Sequence, residues 1–306
     1  MPGIGVPKPL PLQHVQHRLI PLFIVVLLGL VWGSSFILIF LGLRAFEPLQ
    51  VAALRLMFAG FFMLPVVWLY RRQVDIKSLK FLFLSGLIGN GIPAILFANA
   101  GRMIPSGISG VLNSLTPLFT LLFGFWFFGV GIQKRHIWGV VFGLAGAAVL
   151  LLPGYFIKGE KIMNPLGGVL AIAATMLYGI NVNIIKQKLN HLNPFIVSAF
   201  PLGFMALCAL PIFLLTGPQQ NFTVHGSLAW SSLGYLAILG IVGSALSLII
   251  FNVLVQRTTA LFASTNTFII PVVSVLWGLV YNEPFGWNLL LGLLLCFVAI
   301  WLVMKK

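Results

Sequence analysis

The chain has 306 residues, 60% of them apolar and only 7% charged, and carries a formal net charge of +14. Soluble domains average about 25% charged residues, so a soluble globular protein is excluded. The basic residues cluster at the ends of apolar stretches, not on one polar face, which argues against nucleic acid as a partner and for orientation in a lipid bilayer.

Taken in chain order, the apolar stretches span residues 19–43, 48–70, 79–99, 104–128, 136–154, 165–185, 194–216, 229–254, 259–281 and 286–304. Each approaches the about 20 residues needed to cross a bilayer as a helix. The expected fold class is therefore an all-α, multi-pass membrane protein with ten transmembrane helices. Residues 1–18 form a Pro-rich basic tail with Lys8 and Arg18. The stretch after it is too long for a signal-peptide core and is expected to be retained as the first helix.

The fourth stretch, IPSGISGVLNSLTPLFTLLFGFWFF from Ile104 to Phe128, holds a proline near its middle, Pro117. Proline takes away the backbone donor for the carbonyl four residues earlier, here that of Asn113. A freed carbonyl in hydrocarbon is costly, so it is expected to face protein or a water-filled cavity. Pro271 repeats the device 154 residues later, four residues after Thr267. Pro117 and Pro271 are the candidate gating positions.

The same offset aligns Gly86 with Gly240, Gly89 with Gly243, Phe97 with Phe251 and Gly124 with Gly278. Earlier in the chain an offset of 146 aligns Gly33 with Gly179, Pro48 with Pro194 and Pro65 with Pro211. An eight-residue insertion in the polar loop Gly217 to Leu228 accounts for the change. The chain thus reads as two five-helix repeats, 19–154 and 165–304. An odd number of crossings makes the second copy enter from the opposite face, which gives inverted repeats with a substrate site at midplane between them.

With the N-terminus inside, cytoplasmic segments hold Lys8, Arg18, Arg71, Arg72, Lys77, Lys80, Lys134, Arg135, Lys186, Lys188, Arg257, Lys305 and Lys306. The opposite side holds Arg44, Arg102, Lys158 and Lys161. This asymmetry places both termini in the cytoplasm.

Each half resembles an EamA repeat of the drug/metabolite transporter superfamily. The residues that carry the resemblance are VWGSSF (Val31 to Phe36), the Arg55-bearing second helix, TPLFTLLFGFWFFG (Thr116 to Gly129) and GVVFGLAGAAVLLL (Gly139 to Leu152). The second half supplies IPVVSVLWGLVYNE (Ile270 to Glu283) and LGLLLCFVAIWLV. The resemblance implies a ten-helix carrier in a bacterial inner membrane that moves small metabolites, often exporting an amino acid or related amphipathic compound. It also implies that helices five and ten stand outside the central cavity. One departure is visible: the acid that often follows the fourth helix is present as Glu283 in the second half, but Gly129-Val130-Gly131 replaces it in the first.

Arg55 lies about 10–12 Å into its span at 1.5 Å per residue. Either it holds a substrate carboxylate through a forked pair of hydrogen bonds, or it bonds loose carbonyls and snorkels outward. The other candidate substrate-binding residues are mid-membrane polar groups: Ser34, Ser35, Asn90, Asn113, Thr116, Asn181, Asn252 and Asn266. Asn183, Ser244 and Thr267 belong to the same polar set. Singly, each fits interhelical glue; together, around one cavity, they fit a site. Trp32, Tyr178 and Trp277 are candidate aromatic walls, against a background of packing and interfacial anchoring. The GxxxG pairs Gly29/Gly33 and Gly139/Gly143 allow close helix approach, within the chain or in a homodimer.

No Asp or Glu lies deep in any stretch, which argues against strong proton or sodium coupling and against cationic cargo. Cys208 and Cys296 offer neither disulfide nor metal spacing, and no cofactor or metal is expected. Two other classes compete with a carrier. Gly107-Ile108-Ser109-Gly110 spells the GxSG of an intramembrane serine protease, but all five histidines sit in tails, loops or at helix edges, away from any base role for that serine. An enzyme acting on lipid phosphate needs clustered acids for its metal, and four acids in four regions do not supply them. A non-transporting scaffold leaves the matched prolines without a purpose. Asn221-Phe222-Thr223 fits a glycosylation tripeptide.

Overall fold

The computed structural model describes residues 11–151, 164–258, 263–283 and 286–304. Among the described residues the regular structure is helical. We label the helices α1 (Pro11–Gly42), α2 (Pro48–Tyr70), α3 (Ile76–Gly101), α4 (Ser106–Phe128) and α5 (Lys134–Leu151). The second half holds α6 (Pro165–Lys188), α7 (Pro194–Thr216), α8 (Ser227–Arg257), α9 (Ile269–Val280) and α10 (Trp287–Met304). Seven of them, α1 to α4 and α6 to α8, are long and apolar enough to cross a membrane; α9 and α10 are shorter apolar helices. Lys8, Lys158, Lys161, Lys305 and Lys306 of the charge pattern lie outside the described residues.

Of the prolines that mark the repeat, Pro48 and Pro194 start helices, whereas Pro65 and Pro211 lie inside α2 and α7. Pro48 is capped by Glu47, whose N–H donates to Gln50 Oε1 at 2.9 Å, and Pro194 by Asn193, whose Oδ1 accepts the Phe195 N–H at 3.0 Å. At the first helical position a proline loses nothing, because its N–H is an orphan there. Both α3 and α8 loosen into a single π turn, at Leu87–Gly91 and Ile241–Leu246. The first residues of these turns, Leu87 and Ile241, are 154 apart. Two turns of so rare a kind at one repeat position are difficult to ascribe to chance.

Packing between the halves is reciprocal. Trp32 of α1 meets the Phe251 ring of α8 at 5.1 Å, and Tyr178 of α6 meets Phe97 of α3 at 5.9 Å. Trp32 and Tyr178 are equivalent at the 146 offset, Phe97 and Phe251 at the 154 offset. Gly33 of α1 lies against Val273 of α9, and Gly179 of α6 lies against the backbone of Phe119 in α4. Gly60 of α2 packs on its own equivalent, Ala206 of α7. Such exchange of partners is what an isologous contact between two copies of one unit produces.

The GxxxG pairs face inward to this chain. Gly139 abuts Ala299 and Val303 of α10, and Gly143 abuts Leu118 of α4. Gly29 abuts Ile269 next to Gly33 at Val273. The short helix Gln220–His225 sits in the inserted loop. There Asn221 Nδ2 donates to the Ala45 carbonyl and to Gln50 Oε1, both at 2.7 Å. The glycosylation-type tripeptide is thus engaged in tying the α7–α8 connection to the start of α2.

Candidate functional site

The interruptions that unsettle α3, α4 and α8 converge on one cavity. It measures about 110 Å³, counting the space open to the centre of a water molecule, several times the about 10–15 Å³ that one water needs by this measure. The π turns place Gly89, Asn90, Gly243 and Ser244 on its wall; α1 contributes Trp32, Ser35, Phe36 and Ile39. Arg55 comes from α2, Tyr178 and Asn181 from α6. The broken part of α4 gives Asn113 and Thr116, and the chain entering α9 gives Asn266, Thr267 and Ile270. Phe97 and Phe251 complete the apolar side.

Nine of the twelve residues that the sequence singles out for binding therefore share one wall: Trp32, Ser35, Arg55, Asn90, Asn113, Thr116, Tyr178, Asn181 and Asn266. Three do not. Ser34 accepts the Trp277 Nε1–H at 2.8 Å on the partly exposed outer side of α1 and α9, so these two bind each other. Asn252 is fully buried and donates to Ser198 Oγ at 2.9 Å, joining α8 to α7. Asn183 is likewise interhelical glue, donating to the carbonyls of Thr120 and Gly179.

Pro117 and Pro271 are buried beside the wall, next in sequence to Thr116 and Ile270. Helix α4 is broken just before Pro117, running as Ser106–Asn113 and Thr116–Phe128. The Asn113 carbonyl, deprived of its helical donor, accepts the Thr116 hydroxyl at 2.7 Å. The expected vacancy is filled by protein, one turn away, and not by the cavity.

The polar chemistry of the wall is unbalanced. Arg55 Nε donates to Ser244 Oγ at 3.0 Å, and the Tyr178 hydroxyl lies within electrostatic reach of the same guanidinium. Among the described residues no carboxylate pairs with Arg55. Glu47 pairs with Arg102 at 2.9 Å, Asp75 caps α3, and Glu283 binds backbone N–H groups of α4. Three amide atoms of the wall, Asn113 Oδ1, Asn181 Oδ1 and Asn266 Nδ2, are buried without a hydrogen-bond partner. Trp32 Nε1–H, by contrast, is satisfied by the Gly243 carbonyl at 2.9 Å. Buried amides without partners and a guanidinium without a carboxylate are each costly, and a polar ligand relieves both.

The serine of the GxSG stretch has none of the features of a nucleophile. Ser109 Oγ is buried without a hydrogen-bond partner, so no described base stands within reach. Among the described residues no cluster of His, Cys, Asp or Glu is suited to a metal. What residue-by-residue reading missed are Gly89, Gly243 and the paired rings Phe97 and Phe251. Their signal was present as repeat matches; that these matches mark the wall follows from the π turns, which carry no composition of their own.

Comparison with known proteins bears on this arrangement. The EamA-like transporter family matches twice, over residues 19–152 and 165–305. The chain is similar to the "Uncharacterized inner membrane transporter YedA" of Escherichia coli K12, 27% identical with 86% of this chain and 83% of that protein covered. It is similar to the "Protein PecM" of Dickeya dadantii, 25% identical with 89% and 88% covered. A "Probable amino-acid metabolite efflux pump" of Salmonella typhimurium is 27% identical over 56% of this chain and 55% of its own length. One crystal structure superposes with a TM-score of 0.60 at 19% identity, covering 92% of this chain and 94% of that one, a likeness of fold alone. Two matches to one family, end to end along the chain, leave a single assignment: this chain belongs to the EamA-like transporter family.

Proposed function

We propose that the chain is an inner-membrane carrier that exports a small metabolite bearing a carboxylate, an amino acid or a related amphipathic compound, by alternating access. The observation that carries this reading is the cavity wall. It joins both halves of the chain, holds Arg55 without an acid partner, and leaves three buried amide atoms unbonded. In this reading residues 19–154 and 165–304 are inverted five-crossing repeats, with both termini cytoplasmic. The reciprocal contacts and the matched π turns support the repeat, and α5 and α10, at 18 residues each, rise about 27 Å, close to the hydrocarbon thickness. The twelve candidates divide accordingly: nine wall residues contact cargo, while Ser34, Asn252 and Trp277 hold helices together.

Among the described residues no acid lines the cavity, so the cargo is neutral, zwitterionic or anionic and moves down its own gradient. The names of the relatives support transport, and the efflux pump supports an amino-acid metabolite. The test is counterflow in liposomes: purified protein loaded with unlabelled amino acid should accumulate labelled amino acid, unaltered chemically. Absence of counterflow across amino acids, nucleosides and short-chain acids overturns the reading.

Pro117 and Pro271 act in this scheme as gates, since each starts or adjoins a helix segment that ends on the cavity wall. In the same assay Pro117→Ala and Pro271→Ala should lower flux while expression stays intact. Unchanged flux in both removes the gating role.

A further inference from the structure

We propose that Glu283 is a positioning residue that clasps one mouth of the cavity shut, and that among the described residues no acid does the same at the opposite mouth. The inference rests on the carrier reading above. Glu283 follows α9 in a turn where Asn282 adopts φ +55°, and its own N–H donates to the Gly278 carbonyl at 2.8 Å. The side chain then reaches across to the other half of the chain. Its Oε1 accepts the Ser106 N–H at 2.9 Å and its Oε2 accepts the Gly107 N–H at 3.2 Å. These are first-turn donors of α4, which have no partner inside their own helix, at the positive end of its dipole. A carboxylate there makes two charge-assisted bonds at once.

What the clasp closes is visible in the next layer. Gly107 lies against Val275, and Gly110 receives the Ser274 side chain. Every residue from Ser106 to Asn113 is buried. The cavity wall begins directly beyond, at Asn113 and Thr116 on α4 and at Ile270 on the facing chain. The α4–α9 contact is therefore the plug at this end, and Glu283 is its outermost fastening. Of the acids among the described residues, it is the one that bonds across the two halves.

The repeat makes the clasp one-sided. The position 154 residues before Glu283 is Gly129, a helix C-cap with φ +68° and no side chain to reach anywhere. Two halves that exchange roles during transport would otherwise close both mouths alike. With a carboxylate fastening at one end only among the described residues, the resting carrier is held closed at the Glu283 mouth and exposes its site at the other. Opening the Glu283 mouth requires the carboxylate to part from both N–H groups, a step that cargo binding must drive.

The experiment reads accessibility, not transport. Ile39 lines the cavity and touches Gly101 at the end of α3 that leads into α4, so Ile39→Cys reports on this mouth in a background carrying Cys208→Ser and Cys296→Ala. A membrane-impermeant maleimide is applied to vesicles of each orientation. Glu283→Ala should speed labelling from the Glu283 side about ten-fold or more, the scale of losing hydrogen bonds to a charged group, and slow it from the other side. Ser106→Pro should act in the same direction without touching Glu283. It deletes one donor at a first helical position where proline is tolerated, after a Pro105 already extended at ψ 149°. Labelling that is unchanged in both variants, or raised equally from both faces, overturns the clasp. If labelling shifts as stated while the parent protein shows no counterflow, the clasp stands and the carrier reading fails. Intact counterflow with unmoved labelling gives the reverse.

Discussion

Replacing Arg55 with glutamine is expected to abolish counterflow of carboxylate-bearing cargo while sparing its uncharged amide or ester analogues. The guanidinium stands on the cavity wall with a single side-chain acceptor, Ser244 Oγ at 3.0 Å, and the Tyr178 hydroxyl nearby. In bulk water an arginine needs no partner. In a cavity walled by Trp32, Phe36, Phe97 and Phe251, its field is poorly screened and a carboxylate gains strongly by approaching it. Cutting one member of a buried, hydrogen-bonded charge pair costs about 2–5 kcal/mol, so the loss should be at least about 30-fold. Arg55→Lys keeps the charge but loses the planar fork and should fall between the two. Should acids and uncharged analogues lose transport equally, Arg55 serves the structure: its bond to the π turn of α8 holds the wall together, and cargo does not meet it.

The second large effect belongs to Gly60, where α2 and α7 cross. A Cβ at this position would stand 2.5 Å from the Leu202 carbonyl oxygen and collide with Ala206. Both obstacles are backbone or the first atom of a side chain, so no rotamer change relieves them; the helices themselves must part. Gly60→Ala should therefore cost about 1–3 kcal/mol or more, read as a lower midpoint of thermal inactivation. Gly203 provides the control. Its added Cβ would meet Val67 Cγ2 at 3.4 Å, ordinary contact at the tip of a side chain, so Gly203→Ala should leave the midpoint in place. Equal effects of the two substitutions would show that closeness at the α2–α7 crossing is not what makes Gly60 necessary. Because Gly60 packs on its repeat equivalent, a folded variant that parts α2 from α7 should also slow transport if the two halves rock against each other as proposed.

Much of this arrangement is legible along the chain because a bilayer removes choices. Backbone groups in hydrocarbon must bond within a helix, so composition alone establishes helices, their approximate limits and an embedded chain. Repetition adds the pairing of positions: Pro48 with Pro194, Gly89 with Gly243, Phe97 with Phe251. The polar residues of the stretches were likewise legible as a set, and nine of twelve meet on one wall.

Which residues of that set meet was decided only by packing. Ser34 and Asn252 share composition and depth with Ser35 and Asn181, yet helix rotation turns the first pair toward other helices and the second toward the cavity. A sequence states spacing along one helix, while the angle of that helix about its axis depends on every neighbour it packs against. The π turns of α3 and α8, the inward facing of the glycine pairs, and the reach of Glu283 to α4 are of this kind. Glu283 is separated from Ser106 by 177 positions, and nothing local to either residue encodes the other. The chain by itself determined an embedded, duplicated helical protein with polar residues in its spans; the tertiary structure decided which of them share a cavity, because only close packing between distant helices separates a wall from a joint.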